Sequence, residues 1–172
     1  MALIKKCRGK SPQITKTSWI AENATLVGDL VMGENCSVWF NAVVRADVNS
    51  IQFGDNVNIQ DGAVIHCTYK KTKTILGNNV SVGHNANVHG CTVGENVLIG
   101  MGSIVMDDCI IEDNCIIAAG AVLLEKTHVK SGEVWAGVPA KKVKNMSPEL
   151  FEGEVKRIAQ NYRMYASWME EG

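Results

Sequence analysis

Aliphatic or aromatic residues recur at every sixth position of this chain. The series begins Ile20, Leu26, Met32, Val38 and Val44, and after three extra residues resumes at Phe53, Ile59 and Ile65. A polar loop follows; the step then returns at Leu76, Val82 and Val88, loses one residue, and runs unbroken from Val93 through Ile99, Val105, Ile111 and Ile117 to Leu123. Four residues after most of these anchors stands a second small or apolar side chain, among them Ala24, Cys36, Ala42, Ala63, Ala86, Ser103, Cys109, Cys115 and Ala121. A surface helix would repeat at three and four residues and a long half-buried strand at two. Six, with Gly, Asp, Glu or Asn between the inward positions, describes a short strand and a corner, because those residue types tolerate left-handed and turn backbones.

Three such units close a coil of 18 residues, and stacked coils bond to one another as parallel strands about 4.8 Å apart. The pattern resembles the left-handed parallel β-helix of hexapeptide-repeat proteins, and the handedness comes from that resemblance. Three anchors per coil predict between five and six coils over 18–126. They are preceded by an N-terminal strand or extension over 1–17 and followed by a loop over 127–146. The period then changes: Ser147 and Pro148 form an N-cap and a first-turn proline, and Phe151, Val155, Ile158, Tyr162, Tyr165 and Met169 recur at helical steps. The spacing predicts an amphipathic helix over 147–170, its apolar stripe lying on the β-helix or on a neighbouring subunit. The fold class is thus an all-β solenoid with a C-terminal α-helix.

Composition agrees. Val and Ile together number 34 against 8 Leu, with 16 Gly and 14 Asn, which favours strands and turns over helix. At 172 residues and 46% hydrophobic content the chain is suited to one domain with a real core. A net charge of −1 offers no basic surplus for nucleic acid or anionic lipid. The longest apolar run, Ile116 to Leu124, is far short of the roughly 18 residues that span a bilayer. Lys5, Lys6 and Arg8 leave no room for a secretory hydrophobic segment, so a cytoplasmic location is expected, with the cysteines as thiols.

Numbering the faces of the coil brings the unusual side chains together. Val44, Ile65 and Val88 fall on one face in successive coils, and each is followed by a polar residue, Arg45, His66 and His89. Two histidines thereby occupy equivalent slots one coil apart, close enough for both rings to reach one ion at about 2.0–2.1 Å. On the preceding face Ile59 and Val82 are stacked, and two residues beyond them come Asp61, with Gln60 beside it, and His84. Taken singly each of these would read as surface decoration; as a set they read as a metal site. His128 stands outside the pattern and reads as a loop residue. Cys36, Cys109 and Cys115 read as core thiols, and Cys67 and Cys91 as neighbours of the histidine segments.

Three stretches, Trp39-Phe-Asn-Ala-Val-Val-Arg45-Ala-Asp47, Ile59-Gln60-Asp61-Gly62 with His66, and Ser81-Val-Gly-His84-Asn-Ala-Asn-Val-His89-Gly90, resemble the γ-class carbonic anhydrase family. The resemblance covers nearly the whole chain. It implies a homotrimer in which His66 and His89 of one chain and His84 of the next hold Zn2+, with Fe2+ or Co2+ as substitutes, and it implies conversion of CO2 to bicarbonate by zinc-bound hydroxide. Zinc lowers the pKa of water from 15.7 to about 7, a gain of about 12 kcal/mol, and three imidazoles leave the open position that water needs. By the same resemblance Gln60 hydrogen-bonds the nucleophile or substrate, Arg45 and Asp47 form an interfacial ion pair, and Asp61 supports the site. Tyr162 matches an aromatic that some relatives place in the pocket; a helix residue packing on the barrel is the other reading. Two positions depart from the family pattern. Val48 replaces a Glu, and the segment 67–73 lacks the acidic proton carrier, so turnover limited by proton removal is the expectation. An acyl-CoA transferase or thioesterase and a catalytically silent metal-binding trimer are the competing functions.

Overall fold

A computed structural model describes residues 1–170. Most strands are two or three residues long, because each six-residue unit yields the rest to a corner. One face of the solenoid stacks Trp19–Ile20, Ser37–Val38, Asn58–Ile59, Ser81–Val82, Leu98–Ile99, Ile116–Ile117 and Glu133–Gly137, all paired in parallel. The molecule is therefore a parallel β-solenoid of about 7 turns, longer than the anchors to Leu123 imply.

The missing turn lies in the segment expected to be a loop. Counting on from Leu123 in sixes reaches Val129, fully buried in a strand His128–Val129 paired with Ile110–Ile111, and Trp135, paired with Ile117. Ala140–Asn145 then folds back antiparallel on Glu133–Gly137 and closes the last sheet edge. Lys126, Lys130, Gly137 and Pro139 make 127–146 look like loop, yet a coil needs only its inward positions to be apolar. His128 accordingly belongs to a strand, its ring facing outward 2.7 Å from Glu112 Oε1. At the other end Leu3–Lys5 pairs in parallel with Thr25–Val31.

The predicted anchors form the core. Leu26, Val38, Val44, Ile59, Ile65, Val82, Val88, Ile99, Val105 and Ile117 are fully buried, and so are the small second positions Ala24, Ala42, Ala63, Ser103, Cys115 and Ala121. Each buried aliphatic side chain contributes about 1.5–3 kcal/mol relative to exposure. Ile20, on the first coil with no full turn below it, is only half-buried. One corner of successive coils carries Asn35, Asn56, Asn79, Asn96 and Asn114 at φ of +55, +56, +57, +54 and +59°. Asn is the side-chain-bearing residue that best tolerates that backbone. The amides of Asn56, Asn79, Asn96 and Asn114 hydrogen-bond in series at 3.2, 3.0 and 3.3 Å.

The C-terminal helix starts as expected, with Ser147 Oγ accepting from Leu150 N at 3.2 Å. It widens to a π-type turn over Phe151–Lys156 and continues as α-helix from Arg157 to Glu170. Val155 is buried against Ile116 and Val134, with Leu98, Leu150 and Phe151 around them, so the helix lies on the face that carries His84. Ile158, Tyr162 and Tyr165 are partly covered, whereas Met169 is exposed.

Candidate metal centre

Register decides which histidines meet. Asn87–His89 pairs in parallel with Val64–His66 so that His89 stands directly opposite His66. Their rings lie 5.1 Å apart between centroids, and His66 Nδ1 is 3.1 Å from His89 Nε2. The outer nitrogen of each ring faces a carboxylate: His66 Nε2 is 3.1 Å from Asp47 Oδ1, and His89 Nδ1 is 2.6 Å from Asp107 Oδ1. A carboxylate only accepts, so those outer nitrogens carry the hydrogens. The two nitrogens that face each other are then lone pairs. Arg45, which only donates, approaches His66 Nδ1 to 3.5 Å and agrees with that assignment. Lone pairs 3.1 Å apart repel unless a proton or a metal ion lies between them. Two nitrogens each about 2.0–2.1 Å from one ion span that separation, so the donor pair fits a metal.

His84 stands elsewhere on the chain, at the corner after Ser81–Val82. Its Nδ1 lies 2.9 Å from Asp61 Oδ2 and its Nε2 3.2 Å from the hydroxyl of Tyr162. Among the described residues no three metal-ligating side chains converge within the chain. Gln60 is buried on the His84 side, where its Nε2 donates to Asn58 Oδ1 at 3.0 Å and Asn58 Nδ2 donates to Ser81 Oγ at 2.7 Å. The geometry thus brings together His66, His89, Arg45 and Asp47 in one cluster and Gln60, Asp61, His84 and Tyr162 in another.

The surroundings set the charge states. Burial pushes the imidazolium of His66 to a lower pKa than usual, and the Arg45 and His89 charges act in the same direction against the Asp47 hydrogen bond. Burial pushes the Asp47 carboxyl up, but hydrogen bonds from Arg45 and His66 and the Arg45 charge outweigh it and hold the group below its ordinary range. Arg45 Nη1 reaches Asp47 Oδ2 at 2.6 Å within one chain. Burial pushes the Tyr162 phenol up to about 12, with the Asp61 charge adding to the shift. Its ring packs edge-on to Trp39 at 5.2 Å. Beside it a groove of about 420 Å³ runs between helix and solenoid, walled by Gln60, His84, Leu98, Ile116, Ile158 and Tyr162.

Sequence reasoning passed over Asp107. It sits two residues past the anchor Val105, one coil beyond His89, on a face the anchors already mapped. Thr68 Oγ1 donates to its Oδ2 at 2.6 Å and Thr72 Oγ1 to its Oδ1 at 3.3 Å. Burial raises this carboxyl's pKa, and the bonds from Thr68 and His89 more than reverse the effect.

Known proteins share the coil over most of the chain. The sequence profile described as "Bacterial transferase hexapeptide (six repeats)" matches residues 90–125. A Methanocaldococcus jannaschii protein named "Probable carbonic anhydrase" is 41% identical over 157 residues, covering 91% of this chain and 96% of its own length. The chain belongs to the γ-carbonic-anhydrase-like hexapeptide-repeat family. Arabidopsis thaliana "Gamma carbonic anhydrase 2, mitochondrial" is 37% identical over 161 residues, 91% of this chain; the chain spans only 56% of that protein's length. Among solved structures, a hexapeptide transferase family protein from Anaplasma phagocytophilum superposes with a TM-score of 0.89 at 39% identity, covering 96% of both chains. Of the described residues no helix is long and apolar enough to cross a membrane.

Proposed function

We propose that this family member is a metal-dependent carbonic anhydrase, and that His66 and His89 of one chain and His84 of a neighbouring copy in a homotrimer hold its zinc. The observation that carries the reading is the facing pair of bare imidazole nitrogens at 3.1 Å, each ring held from behind by its own carboxylate. A third ligand is absent around that pair among the described residues, which favours a ligand from another chain. Carbonic anhydrase names among close relatives support the substrate. Fe2+ or Co2+ suits the same three imidazoles.

When bound, the metal supplies Lewis acidity that brings the ionisation of water from pKa 15.7 to about 7. The chain's own groups do the rest. Asp47 and Asp107 hold His66 and His89 in the tautomers that leave a lone pair inward. Tyr162, a phenol protonated at neutral pH, lies 3.2 Å from His84 Nε2, the nitrogen that would hold the metal, and its hydroxyl would be free to donate into the groove if that nitrogen were occupied. Leu98, Ile116 and Ile158 give the groove an apolar wall suited to CO2, and the oxygen of the Gln60 side chain is left to accept a hydrogen bond there. Proton export lacks an acidic carrier, since 67–73 has no carboxylate and the nearby Asp107 already accepts from Thr68, Thr72 and His89. Small imidazole-type buffers at about tens of millimolar are therefore expected to raise turnover.

The deciding experiment measures metal content and stopped-flow CO2 hydration on one reconstituted sample. His66→Ala, His84→Ala and His89→Ala each lose the metal if the reading is right. Chains carrying His84→Ala mixed and co-folded with chains carrying His89→Ala regain binding, because a mixed pair rebuilds one complete site. A fully metallated protein without CO2 hydration at any buffer concentration overturns the activity and leaves a silent metal-binding assembly. The likeness to a hexapeptide transferase family protein gives acyl transfer a footing as a second reading. An acyl-transfer activity indifferent to chelators would establish it.

A further inference from the structure

We infer that Asp107 is a positioning residue for the metal centre: it locks His89 into the tautomer that presents Nε2 and ties the loop after His66 to that ring. The inference rests on the reading of His89 as a ligand. Three donors converge on this one carboxylate, His89 Nδ1 at 2.6 Å, Thr68 Oγ1 at 2.6 Å and Thr72 Oγ1 at 3.3 Å, with Lys71 Nζ farther off at 3.9 Å. Its side chain is 9% exposed, against 23% for Asp47 and 41% for Asp61, so it is the most enclosed of the carboxylates that face a histidine of the site.

The alternative tautomer has no place here. A His89 protonated on Nε2 would turn a nitrogen lone pair onto Asp107 Oδ1 at 2.6 Å, two acceptors in contact with no hydrogen between them. The carboxylate cannot easily move aside, because its backbone is pinned on both sides of the coil: Lys126 N donates to Asp107 O at 3.0 Å, and Asp108 N donates to Gly90 O at 2.8 Å. Gly90, at φ +57°, leaves the space the carboxylate occupies, and a Cβ there would overlap Asp107 Oδ1 and Thr72 Oγ1. The same network reaches the other histidine. Thr74 Oγ1 donates to His66 O at 2.6 Å and accepts from Gly90 N at 3.0 Å, so the segments bearing both rings move as one unit. Groups that hold a ligating imidazole from behind typically change metal affinity about 10–100-fold when removed.

The test uses the whole chain, with zinc as the probe. Asp107→Asn is expected to weaken zinc binding about 10–100-fold in a chelator competition, and Asp107→Glu to recover part of the loss. In metal-free protein at a pH where imidazole is neutral, long-range proton–nitrogen NMR reads the tautomer directly. The native chain should show His89 protonated on Nδ1, and Asp107→Asn should mix in the Nε2 form. If Asp107→Asn fails to fold, Thr68→Val keeps the carboxylate and removes one bond to it, with an expected loss of about two- to tenfold in affinity. Native zinc affinity together with an unchanged His89 tautomer in either folded variant overturns the inference. If instead His89→Ala binds zinc as the native chain does, the ligand reading has failed, and the tautomer measurement still decides what Asp107 does to the ring.

Discussion

Replacing Gly90 by alanine tests the site and the fold together. The residue sits at φ +57°, where an L side chain costs about 1–2 kcal/mol. An added Cβ would overlap Asp107 Oδ1 and Thr72 Oγ1 and come within 2.8 Å of Thr72 Cβ. Relieving that crowding costs about 1–3 kcal/mol more. Gly120 is the control: its φ of +67° carries the backbone cost, but nothing lies within 4 Å of its would-be Cβ. Gly90→Ala should thus destabilise by about 2–5 kcal/mol and Gly120→Ala by about 1–2. For a chain of this size about 2–4 °C of melting temperature corresponds to each kcal/mol, so the two variants separate in thermal unfolding at one fixed protein concentration. The second readout is zinc affinity. Crowding drives Asp107 from His89, so Gly90→Ala should lose affinity about 10–100-fold while Gly120→Ala keeps it. Equal melting temperatures for the two variants, or native zinc affinity in a folded Gly90→Ala protein, would refute the packing of Asp107 against Gly90.

Other expectations follow from single contacts. Ile99→Ala empties a fully buried anchor and should cost about 2–5 kcal/mol in urea unfolding; a loss under 1 kcal/mol would mean the coil collapses around the gap. Tyr162→Phe keeps the ring on Trp39 and removes the hydroxyl from His84, so stability should hold while CO2 hydration falls; unchanged hydration leaves Tyr162 as packing alone. Bonds to Glu133 from the Trp135 indole, the Lys142 ammonium and Lys130 N hold its carboxyl below the usual range. Its stabilisation is therefore present above the unfolded carboxyl's pKa of about 4.3 and disappears as pH falls through that value toward the folded one. The stability gap between the native chain and Glu133→Gln should close as pH falls below about 4.3, and a gap independent of pH would exclude this pairing.

The solenoid was legible from the chain because its rule is local and repeated. Every sixth side chain must point inward, a residue with a left-handed backbone must turn each corner, and the next coil repeats the demand. That rule also stacked His66 under His89, since parallel register follows from where the anchors lie. It missed the last coil because the outward positions of 127–146 are charged or turn-forming, although Val129 and Trp135 keep the step. Other features came from packing that no period encodes. Tyr162 meets His84 across 78 residues because the helix lies on that face. Asp107 reaches His89 because the inserted loop folds back to give it Thr68 and Thr72, and because Gly90 leaves it room. The sequence alone therefore determined the coil, its core and the stacking of two histidines. Only the tertiary structure decided which nitrogen of each ring is free, because that depends on the carboxylate that reaches each ring from behind.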